Sequence, residues 1–267
     1  MDWLNGLAHA RDTGTAGILA TIVEVRGHSP RDVGAKMFVS STTTSGSIGG
    51  GNMEATVIHR ARTMLDEGAT TMVDTEFGLN EHARVEYGTQ CCGGTVRVLL
   101  EPIGRRPTVA IFGAGHVGQE LARILSRNEL VLHLADSRRG IVGDALATTL
   151  GDGPATVHLH TLPAPETLIA TLPDDAHVLI LTHDHAEDLM LCDAALRRGG
   201  FASVGVIGSS AKWARFRKKL AAEGHPEPSI DRIHCPIGAP DLRGKHPAAI
   251  AISVAADLMR VFQKVAS

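Results

Sequence analysis

The sequence predicts an α/β protein in which a Rossmann-like, doubly wound parallel sheet follows a smaller, strand-rich α+β domain. From residue 108 onward, buried strand patterns alternate with helix patterns, an order typical of parallel βαβ units. Before residue 101, strand patterns are joined by glycine-rich turns instead. Proline, glycine and charged residues interrupt the pattern at 101–108, so we predict two domains, 1–102 and 103–267.

The first domain is predicted to combine strands with one helix. A helix over 52–68 follows from apolar residues on or near one face, such as Met53 and Val57, and from a glycine stop at Gly68. A glycine-dense turn precedes this helix. The predicted strands are 17–25, 35–40, 83–88 and 95–102, and the last two flank a turn that contains two cysteines.

The second domain opens with a buried strand that runs from residue 108 into glycines and then into a helix. In the segment 212–220, basic residues that include Lys212 alternate with apolar ones, which indicates an amphipathic surface helix. Further strands are predicted at 130–136, 156–160, 177–184 and 201–208, and helices at 116–127, 185–198, 210–223 and 246–264.

Composition describes an ordinary globular protein. The chain has 267 residues and a formal net charge of −3, so no polyelectrolyte partner such as nucleic acid is implied. The N-terminal stretch lacks the apolar core of a signal peptide. The longest apolar run, 248–259, is too short to span a bilayer and contains Asp257. We therefore expect a cytoplasmic protein that does not bind a membrane and keeps its thiols reduced.

Cys91 and Cys92 are adjacent and are followed by two glycines. A disulfide between neighbours is strained and is disfavoured in a reducing compartment. The spacing is not that of a C-x-x-C zinc or redox motif, and no recognisable base accompanies the thiols. Two interpretations remain: an exposed thiolate that is a soft ligand for a bulky metal centre, or two small buried residues. Cys192 and Cys235 stand alone and are expected to be small buried residues.

The Gly113-x-Gly115-x-x-Gly118 segment has the spacing of the dinucleotide fingerprint, and Asp136 ends the following strand. Such glycines allow a tight turn and the close approach of a pyrophosphate to a helix N-terminus, although the same turn also serves packing alone. NAD(P) is therefore a candidate cofactor. Asp136 favours an unphosphorylated ribose, while Arg138 and Arg139 weaken that distinction. A NAD(P)-dependent oxidoreductase is the alternative function, without a convincing acid–base pair for hydride transfer.

The glycine turn 46–51 precedes a helix and has two interpretations. Its free N–H groups, from residues such as Gly49, Gly50 and Gly51, form an anion nest, or the turn is sharp and needs positive φ angles. Glu54 lies in the first helical turn, where a carboxylate is electrostatically favoured, and is either part of such a site or a helix cap.

His183 and His185 follow a predicted strand on the side where ligands bind in a Rossmann sheet. They are candidate metal ligands, with a cysteine as a third partner for zinc. Helix initiation by Asp184 explains the same segment equally well.

Eight segments, in order along nearly the whole chain, resemble one known family. They are 27–39, 46–57, 90–102, 109–125, 134–138, 181–189, 205–220 and 233–238. The family is XdhC/CoxI, the accessory proteins that mature molybdenum hydroxylases, and its xanthine dehydrogenase type fits best. Members often carry Gly-Ser-Arg-Arg-Lys where this chain has "GSSAK" at 208–212, so a basic contact there is lost or moved to Lys212. The stretch 238–245 also departs from the family pattern.

The resemblance implies a non-catalytic protein of purine catabolism that binds molybdenum cofactor (molybdopterin). It implies protection of that cofactor while a cysteine desulfurase exchanges an oxo ligand for sulfur. Delivery to the molybdenum-binding subunit of apo-xanthine dehydrogenase follows, and a homodimer is expected.

The family's Cys-Gly-Gly cysteine maps onto Cys92, the implied molybdenum ligand. A thiolate suits molybdenum, and the pterin phosphate suits backbone N–H groups such as those of the 46–51 turn. Membership does not imply NAD binding. The predicted cofactor-binding residues are Gly49, Gly50, Gly51, Glu54, Gln90, Cys91, Cys92, Gly113, Gly115, His116, Gly118, Asp136 and His183.

Overall fold

The computed structural model describes residues 2–78, 94–239, 241–242 and 244–265. The chain divides into two compact units, Met1–Arg106 and Pro107–Ser267. The predicted fold class is confirmed, because the second unit contains a parallel sheet and the first a separate antiparallel one. Among these residues, none of the helices combines the length and hydropathy needed to cross a bilayer.

The first unit is built on an antiparallel sheet whose described strands follow the order β3-β2-β1-β5-β4. The predicted strand at 83–88 lies outside the described residues. The first helix and the strand before residue 79 were not predicted. The elements are α1 (Trp3–Thr13), β1 (Gly17–Arg26), β2 (Lys36–Val39), β3 (Thr44–Gly46), α2 (Gly51–Asp66), β4 (Val73–Gly78) and β5 (Thr95–Ile103).

The two faces of this sheet are covered by different helices. Met37 and Val39 belong to the core formed with α2, and Phe38 between them points to the other face, as strand alternation requires. On that face, a Cβ added at Gly17 would come within 2.1 Å of the Phe38 ring, so the strand approaches the ring closely. The helix α1 lies against β2 and β3. Each face is thus closed by one helix.

The second unit holds a parallel sheet in the order β11-β10-β9-β6-β7-β8, so the strand order reverses between β6 and β9. Ligands bind at such a switch point in open α/β sheets. The elements are β6 (Thr108–Phe112), α3 (His116–Leu125), β7 (Val131–Asp136), α4 (Asp144–Gly151), β8 (Thr156–Thr161), α5 (Glu166–Ile169), β9 (His177–Ile180), α6 (His185–Arg198), β10 (Ser203–Val206), α7 (Ser210–Ala222), α8 (Glu227–Ile230), β11 (Ile233–His234) and α9 (Pro247–Val265).

Every residue of β6 is buried because helices cover both faces of the sheet. One core contains Ala110 and Phe112, and the other contains Val109 and Ile111. Two strands are shorter than predicted: β9 ends at Ile180 rather than at residue 184, and β10 covers 203–206 rather than 201–208. The apolar pattern continues past the sheet edge, where the chain already turns toward the next helix.

Three histidines lie together on one face of β7 and β8. His133 stands opposite His158 in the register, with ring centroids 4.8 Å apart. Its Nδ1 lies 3.1 Å from Nε2 of His160. Burial, and then the charges of His158 and His160, lower the pKa of His133 to about 4. Burial lowers the pKa of His160 as well.

We expect this cluster to make the protein less stable as the pH falls from about 6.5 toward 4. Folded His133 stays neutral down to about pH 4, whereas the unfolded chain binds the proton near pH 6.5, so acid favours unfolding in that window. His133→Leu should flatten the slope of unfolding free energy against pH by up to about 1 kcal/mol per pH unit. Urea unfolding at several pH values measures this, with the exposed His185→Asn as control. Equal slopes in wild type and His133→Leu would contradict the prediction.

Candidate functional site

In the glycine turn of the second unit, Gly113, Gly115 and Gly118 have different surroundings. Gly113 has φ 110°, and a Cβ there would lie 2.4 Å from the carbonyl oxygen of Leu181. A Cβ at Gly118 would lie 2.0 Å from the carbonyl oxygen of Gly113, so helix α3 packs directly on the turn. A Cβ at Gly115 would meet nothing within 4 Å. Packing therefore explains Gly113 and Gly118, and Gly115 borders open space.

Alanine at two of these positions should separate packing from ligand approach. We expect Gly118→Ala to destabilise the second unit by about 1–3 kcal/mol, since backbone must move to admit the methyl group. Gly115→Ala should leave stability within about 0.5 kcal/mol of wild type, because its φ of −73° suits any residue. Urea unfolding curves of the two variants test this, and equal stability of both would refute the packing role of Gly118.

The start of α3 has no side-chain cap, unlike the starts of α6 and α7, which follow β9 and β10. Asp184 caps α6 by accepting from the N–H of Ala186 at 2.6 Å, and Ser209 caps α7. Helix initiation by Asp184 is thus confirmed. His183 and His185 are exposed, as is His116 at the first position of α3. No group of three or more His, Cys, Asp or Glu residues suited to a metal occurs in the described part of the chain.

Asp136 is buried, and its contacts are internal to the protein. Oδ2 accepts from the N–H of Ala114 at 2.8 Å and from the Arg138 side chain at 2.9 Å, and Oδ1 accepts from the N–H and Nε of Arg138. Burial raises the pKa of Asp136, but the Arg138 and Ala114 hydrogen bonds outweigh it, and the net pKa lies below its ordinary value. The carboxylate therefore braces the glycine turn, which is a structural explanation for the acid at the end of β7.

A buried ion pair joins the helices that follow β9 and β10. Nζ of Lys212 donates to Oδ2 of Asp188 at 2.5 Å and to the carbonyl oxygen of Ile207 at 2.8 Å. Oδ1 of Asp188 accepts from the N–H and the hydroxyl of Thr182. Asp188 is fully buried and Lys212 is 6% exposed. The interpretation of Lys212 as part of a solvated helix face was therefore wrong, because its long side chain turns inward to a carboxylate that the periodicity does not reveal.

Two cysteines lie near this ion pair. Cys192 is buried as predicted, and Cys235 is half-buried. Burial raises the pKa of the Cys192 thiol far above its usual range. Burial also raises the pKa of Cys235, with Lys212 offsetting part of the effect. Both thiols are therefore neutral near pH 7 and are poor metal ligands.

In the first unit, Glu54 fills the glycine turn that precedes α2. Its Oε2 accepts from the N–H groups of Ile48 and Gly50, each at 3.0 Å, and from the hydroxyl of Ser47 at 2.6 Å. The N–H of Gly49 donates to Ser47 Oγ. The N–H groups of the turn thus bind the protein's own carboxylate. Of the two roles predicted for Glu54, the structure shows the helix cap.

Several loops meet at one end of the first unit's sheet, which we call the loop end. It comprises the loop 27–34, the turn 47–50 and the residues Gly78 and Gly94. A Cβ at Gly94 would lie 2.3 Å from the carbonyl oxygen of His28, and one at Gly49 would lie 2.6 Å from Cγ of Pro30. Gly78 is paired with Thr95 in the register. Gly78 and Gly94, which border the segment 79–93 with Gln90, Cys91 and Cys92, therefore both lie at this end.

The loop end carries an exposed arginine and an exposed histidine that the sequence analysis did not single out. Arg31 lies beside the glycine turn, its Cγ 3.6 Å from the position of a Cβ at Gly49. Its side chain makes no ion pair or hydrogen bond with any described residue. His28 is also exposed. No periodic or motif signal marks these residues as neighbours of the glycine turn, because 15 or more positions separate them along the chain.

The predicted site residues therefore fall into separate groups. Gly49, Gly50 and Glu54 lie at the loop end of the first unit, and Gly51 follows them as the first residue of α2. Gly113, Gly115, His116, Gly118, Asp136 and His183 lie at the carboxyl edge of the second unit's sheet. Gln90, Cys91 and Cys92 lie outside the described residues.

Comparison with known families gives two matches in this chain. A family model described as the XdhC Rossmann domain matches residues 109–258. A second, described as the XdhC and CoxI family, matches residues 10–76.

Two curated relatives from Escherichia coli strain K12 align with most of the chain. The uncharacterized protein YqeB is 29% identical over 91% of this chain, which spans only 43% of YqeB. The molybdenum cofactor insertion chaperone PaoD is 23% identical over 94% of this chain and 86% of PaoD. Among solved structures, one described as a xanthine dehydrogenase from Bacillus halodurans aligns over 99% of this chain and 96% of its own, with 19% identity and a TM-score of 0.48.

Neither curated relative is named for a nicotinamide nucleotide. Because Asp136 is also bound internally, the NAD(P) prediction has no support beyond the glycine turn itself.

Proposed function

The chain belongs to the XdhC and CoxI family, and from this premise we propose that it is a molybdenum cofactor-binding chaperone. In this proposal the cofactor is cargo rather than a resident group, and the protein is not itself an enzyme. It holds the cofactor while an oxo ligand is exchanged for sulfur and then delivers it to apo-xanthine dehydrogenase. The name of its relative PaoD, a molybdenum cofactor insertion chaperone, supports the general role.

The observation that carries the proposal is the loop end of the first unit. It gathers the loop 27–34, the turn 47–50 and both anchors of the segment 79–93 around one small region. These are the parts of the first unit that carry its glycine-rich and cysteine-containing sequence.

The charges of the loop end modify the expected contact with the pterin phosphate. The turn cannot supply the N–H groups of Ile48 and Gly50 while Glu54 holds them. We therefore assign the phosphate contact to the exposed side chain of Arg31, which lies beside that turn, with His28 nearby. A guanidinium binds a phosphate through two parallel hydrogen bonds, which suits this role.

The thiolate for molybdenum is assigned to Cys92, with Cys91 as its neighbour. The described cysteines do not compete for this role, because burial keeps the Cys192 and Cys235 thiols neutral. A thiolate is a soft ligand suited to this metal. In the proposal, Cys92 holds the metal end of the cofactor and Arg31 the phosphate end.

The proposal also names partners and a place of action. The protein would act in the cytoplasm as a homodimer. A cysteine desulfurase would supply the sulfur that replaces the oxo ligand of the bound cofactor. Its client would be the molybdenum-binding subunit of xanthine dehydrogenase, an enzyme of purine catabolism.

Uptake of cofactor by the purified protein tests the proposal. The protein is mixed anaerobically with molybdenum cofactor released from a molybdoenzyme, and the mixture is separated by gel filtration. Pterin fluorescence after oxidation and molybdenum by mass spectrometry should both elute with the chain at about one cofactor per chain, as for one specific site. Serum albumin is the control for adventitious binding. Elution of both with the small-molecule fraction would overturn the proposal.

Arg31→Gln should weaken cofactor binding by about tenfold, since a charge-assisted hydrogen bond to the phosphate is lost. The difference from wild type should shrink as salt is added, because the site is exposed and charge interactions are screened. The matched control is Arg60→Gln, which removes another exposed arginine, from α2. Equal affinity of Arg31→Gln and Arg60→Gln would contradict the assignment of Arg31.

A further inference from the structure

The second unit contains a large cavity whose described lining shares no residue with the glycine turn or with the residues assigned to the proposed cofactor site. Its volume is about 800 Å³, within the range of small-molecule sites. It lies beyond the ends of β10 and β11, which places it two strands, about 10 Å, from the β6 glycine turn. The described lining consists of Ile207, Gly208, Pro236, Ile237, Gly238, Ala239, Leu242, Gly244, Lys245, Ile250 and Ser253.

Buried polar contacts hold both walls of this cavity. On one wall, Lys212 donates to the carbonyl oxygen of Ile207 while paired with Asp188. On the other, the hydroxyl of Ser253 in α9 donates to the carbonyl oxygen of Ala239 at 3.3 Å, and the N–H of Ala239 donates back to the carbonyl oxygen of Ser253. The walls are therefore preformed, as is usual for sites that take small ligands.

The charge of the lining is one-sided. Lys245 is exposed at the cavity and forms no ion pair or hydrogen bond with any described residue, and the described lining includes no carboxylate. The nearby Asp241 is instead directed to Arg260, at 3.9 Å. The N–H groups of Gly208 and Gly238 also donate to no acceptor among the described residues. Lys245 supplies the only charge among the described lining residues, and these two N–H groups add donors without a partner there.

The remainder of the lining is apolar. Leu242 is 47% exposed at the edge of the cavity. The other apolar side chains of the described lining are Ile207, Pro236, Ile237, Ala239 and Ile250. Burying apolar ligand surface against such side chains is favourable by about 25 cal/mol per Å². A bare inorganic anion would leave these side chains without a partner, and a neutral hydrocarbon would leave the donors without one.

We propose that this cavity binds a small organic anion, a carboxylate or a phosphate monoester carried on an apolar body about the size of one ring. The anionic group accepts from Lys245 and from the N–H groups of Gly208 and Gly238, and the ring lies against the isoleucines. The site is independent of cofactor binding by the first unit, so a Cys92→Ala chain retains it. Failure of one proposal therefore does not imply failure of the other.

Nitrogen-15 NMR titration of the full chain tests this site with four probes. Phenyl phosphate and benzoate carry both required features and distinguish the two anion sources, whereas inorganic phosphate lacks the ring and benzyl alcohol lacks the charge. We expect phenyl phosphate, benzoate or both to shift the amide signals of Gly208 and Gly238. The two incomplete probes should bind at least about tenfold more weakly than the best complete one.

Lys245→Met keeps most of the length of the side chain and removes its charge, so it should weaken binding of the best probe by about tenfold. The matched control is Lys218→Met, which removes another exposed lysine, from α7, and should bind as wild type does. The proposal is overturned if neither complete probe shifts these signals at about 10 mM, which is weaker than millimolar affinity. It is also overturned if benzyl alcohol binds as tightly as the complete probes do. A third contradicting result would be equal affinity of Lys245→Met and Lys218→Met for the best probe.

Discussion

Cys92→Ala is expected to abolish retention of molybdenum cofactor by the purified protein, the largest loss of binding we expect from a single substitution. The described cysteines are less suited to donate a thiolate because burial raises the pKa values of Cys192 and Cys235. Gly78 and Gly94, the described residues on either side of the segment that carries Cys92, lie at the loop end, as does the exposed Arg31. Losing a metal–thiolate bond should lower affinity by well over tenfold.

Two further substitutions separate a ligand role from a packing role. Cys92→Ser keeps the size of the side chain but replaces a soft thiolate by a hydroxyl, so it should bind as poorly as Cys92→Ala. Cys91→Ala should retain most binding if Cys92 is the ligand. Cys235→Ala removes a thiol from the second unit and is the matched control.

The measurement is cofactor per chain after gel filtration, together with the dissociation constant from fluorescence titration. If Cys92→Ala binds as tightly as Cys235→Ala, the thiolate assignment is wrong. If Cys92→Ser binds normally, the position requires a small side chain and not a soft ligand. In the event that only Cys91→Ala loses binding, the ligand is the neighbouring cysteine.

Lys212→Met is expected to destabilise the second unit by about 3–5 kcal/mol, since it leaves the carboxylate of Asp188 buried without its cation. Asp188→Leu should have a similar effect, because Lys212 would then be a buried, uncompensated cation. The double variant should lose less than the sum of the two single losses, as no isolated charge remains. Part of the loss should persist, because Thr182 and Ile207 each lose a hydrogen-bond partner.

The chain offers a convenient probe of this unit. Trp213 lies in α7 and packs against the core, whereas Trp3 lies in the first unit. In a Trp3→Phe background, tryptophan fluorescence during urea unfolding reports the second unit alone. The control is Arg197→Met, which breaks an exposed pair with Asp193 and should cost less than about 1 kcal/mol. A loss below about 1 kcal/mol for Lys212→Met would contradict the prediction.

Much of the fold could be predicted because its signals are local. The buried strand before Gly113 and the spacing to Gly118 reflect steric requirements of a single turn, which the structure shows as close contacts with Leu181 and with Gly113 itself. Alternation of strands and helices predicted the parallel sheet in the same way. Element ends were less predictable, as β9 shows, because an apolar run does not mark where pairing stops.

Residue roles in the site depend on pairs that are distant in sequence. The sequence left two roles for Glu54, a helix cap or a site residue. The structure identifies it as a cap, because the N–H groups of Ile48 and Gly50 donate to its carboxylate. The acid at position 136 matched a ribose-binding pattern, yet its hydrogen bonds to Ala114 and Arg138 make it a brace.

The sequence by itself determined the family resemblance, the Rossmann-like half and the glycines that sharp turns require, because each depends on residues close together in the chain. Only the tertiary structure decided which polar groups are already satisfied. Lys212 and Asp188 are 24 positions apart, and they meet because β9 and β10 are neighbours in the sheet. Likewise, Arg31 lies beside Gly49 because β1, β2 and β3 bring their connecting loops to one end. Hydrogen bonding and desolvation act through space, so the partners they select follow the order of the strands and not the order of the residues.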